Sequence, residues 1–369
     1  MNAHFPEAIL TVDLNAIAGN WRFLSAQLKP GCRAAAVVKA DGYGLGASQV
    51  SRALQQAGCA RFFVATLEEA ISLRAALPQG EILVMNGPEA ISAAEYPRYR
   101  LMPVLNSLEQ AEAWRQFAAR KGGPLAAALQ IDSGMSRLGI SPAEATELAG
   151  QADFAKAVEL KLVMSHLACS DRHDHPLNRQ QWQIFNQARS LFPAVEASLA
   201  SSSGIFLGPD FHYDWVRPGA ALFGVNPLRE APNPMAQVLR LQAKILQVRD
   251  VDEGIAVGYG ASHRTSGPAR LATVAMGYAD GLLRTLSNRG HGQIGDKLVP
   301  MVGRVSMDLT VFDVTGMPAA ETAPGRMIDL IGSLITVDKL AKEAGTIGYE
   351  ILTALGPRIH RHYVGSGAA

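Results

Sequence analysis

The sequence predicts an α/β fold: an N-terminal (β/α)8 barrel followed by a mainly antiparallel β C-terminal domain. Three observations carry this. Short apolar runs alternate with amphipathic stretches through the first two thirds of the chain. Eight such runs fall within roughly 220 residues, the spacing of βα units. After about residue 230 the texture changes to alternating runs broken by Gly, Asn and Asp, which suits antiparallel strands.

The eight runs are RAAAVV (33–38), RFFVAT (61–66), EILVMN (81–86), LMPVL (101–105), PLAAALQI (124–131), KLVMS (161–165), AVEASLA (194–200) and AALFGV (220–225). They are largely apolar, as strands covered on both faces must be. Between them lie helical patterns. SLEQAEAWRQFAARKG (107–122) opens on Ser107 and closes on Gly122, a good N-cap and a good C-terminal stop. PLNRQQWQIFNQARSLFP (176–193) is bounded by proline at both ends. NPLREAPNP (226–234) reads as a linker. Beyond it, VLRLQAKILQVRDV (238–251), ARLATVAM (269–276) and DLTVFDVT (308–315) read as strands of the second domain. The expected boundaries are 1–230 for the barrel and 231–369 for the β-rich domain, with the first ten or so residues free to pair with the latter.

Composition agrees. A chain of 369 residues with 48% hydrophobic and 18% charged residues buries large cores and exceeds one ordinary domain. Lys plus Arg total 34 against 33 Asp plus Glu, a net charge of +1, which argues against a nucleic-acid or membrane-surface partner. The opening MNAHFPEAILTVDL has neither a basic n-region nor an apolar h-region, and no run is long enough to span a bilayer. Cys32, Cys59 and Cys169 are widely spaced with no CxxC pair. They read as reduced thiols of a cytoplasmic protein, and no metal site is expected.

Barrel active sites lie at the C-terminal ends of the strands, so the residues just beyond each run are the place to look for chemistry. The first run ends in Lys39-Ala40-Asp41-Gly42-Tyr43-Gly44, the fifth in Asp132-Ser133-Gly134-Met135-Ser136-Arg137, the sixth in His166 and the seventh in Ser201-Ser202-Ser203-Gly204. Tyr213-Asp214-Trp215-Val216-Arg217-Pro218-Gly219 precedes the eighth. Singly, each has an ordinary reading: His166 as a core histidine, Arg217 as an ion-pair partner, the serines as a turn. A lysine desolvated beside other cations, however, has a lowered pKa and forms Schiff bases. The GYGLG run (42–46) lacks GxGxxG spacing, and no acidic residue ends the second strand, so a dinucleotide loop is not expected.

Taken together, VVKADGYGLG (37–46), IDSGMSRLGI (131–140), MSHLACSD (164–171), ASSSGIFLG (200–208), DWVRPGAALFG (214–224), VGYGASH (257–263), MGYADGLLR (276–284), GRVSMD (303–308) and GYEILTALGPR (348–358) resemble the alanine racemase family, in order and over essentially the whole chain. The resemblance implies pyridoxal 5′-phosphate (PLP), a head-to-tail homodimer with shared active sites, and interconversion of L- and D-alanine for peptidoglycan. It places PLP on Lys39 and its phosphate among Tyr43, Tyr349, Ser202 and the backbone N–H groups of Gly219 and Ala220. Arg217 would face the pyridine nitrogen, and Arg137 with the backbone of Met307 would take the substrate carboxylate. Tyr259 and Met307 would enter from the partner subunit.

Racemisation needs a proton removed on one face and returned on the other. The resemblance gives one face to Lys39 and the other to Tyr259, with His166 linking Tyr259 to Arg217. Amines and phenols ordinarily titrate near 10, so neighbours must tune them. An arginine against the pyridine nitrogen disfavours its protonation, which weakens the electron sink and suppresses transamination.

Some positions depart from the family pattern. Ser201 and Ser306 stand where many members have Asn and Cys. Gln130 stands where some carry a carbamylated lysine that orients Arg137; an amide there could accept from the guanidinium without charge. Asp171, Tyr278, Arg284 and Arg304 match residues along the substrate access path, or alternatively interface ion pairs. Competing readings are a broader amino-acid racemase, a PLP decarboxylase of the same barrel, which Arg217 disfavours, and a non-catalytic PLP-binding barrel, which would lack the second domain.

Overall fold

The computed structural model describes residues 6–366. In chain order the strands begin with β1 (Ala8–Asp13), β2 (Arg33–Ala34), β3 (Ala36–Val37), β4 (Arg61–Val64), β5 (Glu81–Val84), β6 (Met102–Leu105), β7 (Leu125–Gln130), β8 (Val158–Met164), β9 (Glu196–Ser198) and β10 (Trp215–Val216). From β3 to β9 each pairs in parallel with its successor. Strand β10 closes the ring. The N–H groups of Arg33, Ala35 and Val37 donate to the carbonyls of Asp214, Val216 and Pro218, while those of Asp214 and Arg217 donate to Ala197 and Ala200. Strands β2 and β3 therefore form one stave interrupted at Ala35, and eight staves complete a barrel, the fold class that the sequence predicts.

One stave is not where the sequence reading put it. The run AALFGV (220–225) is not a strand: Ala220–Phe223 is a 3-10 turn, and the eighth stave is the two-residue β10. A short apolar run does not distinguish a strand from a buried helical turn, and Pro218 has no N–H with which to extend the ladder.

The helices between staves start and stop on recognisable chemistry. Leu108–Lys121 is capped by Ser107, whose hydroxyl accepts the N–H of Gln110, and ends at Gly122 in the left-handed conformation, φ 83°. Pro176–Arg189 takes its proline in the first turn and stops short of Pro193. Leu67–Ala76 opens with a capping box between Thr66 and Glu69. At the N-terminal end of the barrel the Trp215 ring lies between the guanidinium groups of Arg33 and Arg61, at 4.0 and 3.9 Å from its centroid. Glu196 accepts from both arginines and from Trp215 Nε1 (2.9 Å). This clasp joins the first residues of four staves across the closure.

The remaining strands are β11 (Leu239–Val251), β12 (Ala256–Val257), β13 (His263–Arg264), β14 (Ala269–Val274), β15 (His291–Ile294), β16 (Lys297–Pro300), β17 (Thr310–Asp313), β18 (Met327–Ile331) and β19 (His360–Val364). The long β11 is antiparallel to β1, β14 and β18 and buries Leu239, Leu241, Ala243 and Ile245 from alternate positions. Strand β1 lies between β11 and β19. The chain divides into two units, Ile17–Gly42 with Gly46–Ala236, and Met1–Ala16 with Tyr43–Leu45 and Gln237–Ala369; Met1–Phe5 and residues 367–369 lie outside the described residues. No helix among the described residues is long and apolar enough to cross a membrane.

Candidate active site

Lys39 stands at the C-terminal end of the first stave, and the backbone turns sharply after it. Ala40, Asp41, Gly42 and Tyr43 all take left-handed conformations, with φ of 52°, 51°, 62° and 55°. Each non-glycine residue there costs roughly 1–2 kcal/mol. Local bonds offset this: the N–H of Gly42 donates to Val38 O, the N–H of Ala47 to Asp41 Oδ1 (2.8 Å), and the N–H of Ala40 to Glu69 Oε1 (2.6 Å). Burial and Arg137 lower the Lys39 amine below the ordinary lysine range, with Glu69 opposing. A lysine so placed reaches its neutral, nucleophilic form more readily.

His166 and Arg217 form the next part of the rim. Arg217 is buried; its Nη1 donates to Ser198 Oγ and its Nη2 to Ser165 O, both at 2.6 Å, and Nη2 also approaches His166 Nδ1 at 3.4 Å. A guanidinium only donates, so Nδ1 is the accepting nitrogen and the neutral imidazole carries its proton on Nε2. Burial, then Arg217, Arg137 and Lys39, push the His166 pKa down to about 3. Beneath it, Gln181 Nε2 donates to His166 O (2.9 Å) and Gln181 Oε1 accepts the N–H of Ala168 (2.8 Å), while Ser133 Oγ and Ser165 Oγ bond at 2.7 Å. Burial lowers Arg217 to about 10, which leaves it charged at neutral pH.

Arg137 sits on a loop organised by Asp132, whose carboxylate accepts the N–H groups of Gly134, Met135 and Ser136 at 2.9–3.1 Å. Burial raises the Asp132 carboxyl, but those three donors hold it below the usual range. Gly139, φ 113°, is required here because a Cβ would come within 2.6 Å of Asp132 N. Gln130 does not hold Arg137: its amide Nε2 donates to Leu138 O at 3.2 Å. Arg137 is exposed and has no hydrogen-bonding or ion-pair partner among the described residues. Ser202 is buried, and its hydroxyl oxygen accepts the N–H groups of Gly219 (3.0 Å) and Ala221 (3.3 Å). Asp171 pairs with Arg229 at 3.7 Å.

In the other unit, Tyr43 is buried with its ring 6.2 Å from that of Tyr349; burial first, then Tyr349, raise its hydroxyl pKa. Arg361 Nε and Nη2 both donate to Gly44 O at 3.0 Å. Tyr259 is 72% exposed and Met307 55% exposed. The loop carrying Tyr259 packs against Arg304: a Cβ on Gly260 would lie 3.1 Å from Arg304 Nη1. Tyr278 donates its N–H to Ser306 O at 3.0 Å. Arg284 and Arg304 are exposed.

The sequence reading missed Glu69, Ser165, Ser198 and Gln181. Glu69 had a signal, the T-x-x-E capping box immediately after the second stave. The two serines are small polar residues at the C-terminal ends of the sixth and seventh staves, and Gln181 lies on the buried face of its helix. The groups electrostatically coupled around Lys39 and His166 are two arginines and one carboxylate, Glu69. No cluster of metal-binding type occurs among the described residues. A lysine amine, this surplus of positive charge and the buried Ser202 hydroxyl, whose proton has no acceptor among the described residues, fit an aldehyde that carries a phosphate, together with a carboxylate substrate.

Fold and site define a (β/α)8-barrel protein that gathers a lysine, a histidine and two arginines at the C-terminal rim of its barrel, followed by a mainly antiparallel β unit. Residues 12–227 match the alanine racemase N-terminal domain and residues 238–363 the alanine racemase C-terminal domain. The chain is 49% identical to a catabolic alanine racemase of Mesorhizobium japonicum, across 97% of this chain and 93% of that one. It is 48% identical to the alanine racemase of Rhodospirillum rubrum, across 97% and 96%. The crystal structure of Bartonella henselae alanine racemase with covalently bound pyridoxal phosphate superposes with a TM-score of 0.93 at 39% identity, covering 98% of this chain and all of that one (100%). The chain belongs to the alanine racemase family.

Proposed function

We propose that the protein is a cytoplasmic, PLP-dependent isomerase that interconverts L- and D-alanine by two bases, Lys39 and Tyr259 of the partner subunit, in a head-to-tail homodimer. The observation that carries this reading is Arg217: buried, fixed by Ser198 and Ser165, and aligned with His166 without a carboxylate among its hydrogen-bond partners. When bound at Lys39, pyridoxal phosphate supplies an electron sink for the pair left by the Cα proton. Ser202 and the backbone N–H groups of Gly219 and Ala220 would hold the phosphate, with the hydroxyls of Tyr43 and Tyr349; the Gly219 N–H, which donates to Ser202 Oγ here, would turn from that oxygen to do so. Arg137, without a hydrogen-bond or ion-pair partner among the described residues, would bind the substrate carboxylate with the backbone of Met307.

Lys39 moves a proton on one face. Tyr259 of the partner subunit moves it on the other, and His166 orients that phenol through Nε2–H. Arg217 keeps a positive charge where a PLP decarboxylase would need a negative one. The exposure of Tyr259 and Met307 supports their use by a second copy, since large apolar side chains are usually buried. D-Alanine for peptidoglycan is the proposed service. A catabolic role is the second reading, favoured by the name of the Mesorhizobium japonicum relative.

Shared sites give a sharp test. Lys39→Ala and Tyr259→Phe homodimers are each expected to lose nearly all activity. Co-expressed at equal levels, half of the dimers are mixed and one of their two sites is intact, so about a quarter of wild-type activity returns. A co-expressed mixture as inactive as its parents would place Tyr259 in its own subunit's chemistry.

A further inference from the structure

Glu69 is a carboxylate electrostatically coupled to Lys39 with no place in the two-base scheme. Its Oε1 accepts the N–H of Ala40 at 2.6 Å, and its Oε2 accepts those of Ala65 (2.8 Å) and Thr66 (3.4 Å). One side chain therefore ties the end of the second stave to the residue next after Lys39. Ala40 is also the first residue of the left-handed turn, a conformation that reverts unless the surroundings hold it. Thr66 caps the same helix through its own hydroxyl, which accepts the N–H of Glu69 at 3.3 Å. The cap would stand without any bond to Ala40.

We propose that Glu69 is a positioning residue for Lys39: its carboxylate pins the strained turn at Ala40 and so aims the lysine amine from the first stave. This rests on the reading of Lys39 as the residue that condenses with pyridoxal phosphate. The titratable groups facing the amine are Arg137, His166 and Glu69. Asp41, two residues on, directs its carboxylate to the N–H of Ala47. Among the described residues Glu69 is thus the one anion coupled to the amine, and it favours the charged form while its bond to Ala40 holds the turn that directs the amine.

The test monitors the visible absorbance that grows when apoprotein is mixed with saturating pyridoxal phosphate, as the Lys39 amine and the aldehyde form a C=N bond and release water. The rate is measured across pH for wild type, Glu69→Gln, Glu69→Ala and Thr66→Ala. At high pH, where the amine is neutral, the rate levels off at a plateau that reports its aim. Glu69→Ala is expected to lower that plateau about tenfold, as displaced reacting groups do. Glu69→Gln, which keeps one acceptor oxygen, should lower it less while moving the midpoint down by about half a pH unit. Thr66→Ala, a helix-cap loss alone, should leave plateau and midpoint in place. An unchanged Glu69→Ala plateau overturns the proposal, and so does an equal loss in Thr66→Ala. If wild type itself develops no absorbance, the reading of Lys39 fails instead.

Discussion

At the scale of single residues, the chemistry of this chain depends on which charges are left uncompensated. Lys39 is legible in the sequence because a lysine ending an apolar strand has few ordinary explanations. Arg217 is legible as a charge, but its setting is not: Ser198 and Ser165 reach it from two other staves, and no local pattern records that convergence. Gln130 shows the opposite failure. Its Oε1 could accept from Arg137, yet the amide is held through its Nε2, which donates to Leu138 O at 3.2 Å, and no bond to Arg137 forms among the described residues. Arg217→Glu tests the residue-scale account. Racemisation is expected to fall by about a hundredfold, while transamination, measured as pyruvate formed from alanine, rises relative to racemisation. An unchanged ratio of the two products would remove Arg217 from control of the sink.

At the scale of elements, the sequence exposes what is long and periodic and conceals what is short. Leu108–Lys121 lies between the cap residues that its sequence announces; six staves fall within their apolar runs, and a seventh, β8, overlaps its run but begins three residues earlier, at Val158. The eighth does not, because two residues carry no periodicity; its place is set by the hydrogen bonds of barrel closure. The closure also depends on side chains that look unrelated in sequence. Burial pushes the Glu196 carboxyl up, but Arg61, Trp215 and Arg33 together hold it below the usual carboxylate range. Arg61 keeps only 6% of its side chain exposed, so removing Glu196 strands part of a buried charge. Glu196→Ala is expected to destabilise the protein by about 2 kcal/mol, less than a fully buried pair because Glu196 is partly solvated. Denaturant titration reads this directly, and an unchanged midpoint would reduce the clasp to surface decoration. The left-handed turn after Lys39 is likewise hidden, since only Gly42 of its four residues advertises that conformation.

At the scale of the whole molecule, the two units interleave along the chain. Strand β1 lies between β11 and β19, and Tyr43–Leu45, three residues inside the barrel sequence, belong with the β unit. A reading that moves along the chain finds the change of texture near residue 230 and has no means of finding these exchanges, which are fixed by pairing and by the Arg361 bonds to Gly44. The charge balance of +1 is equally uninformative about the site, where positive groups gather locally. The central claim is that this molecule moves a proton at the alanine Cα on both faces. The most direct measurement is the optical rotation of L-alanine, and separately of D-alanine, in D2O with protein loaded with pyridoxal phosphate. The account predicts that both rotations decay to zero and that the product of each carries deuterium at Cα. A flat trace from either enantiomer, with the cofactor shown to be bound, would contradict it.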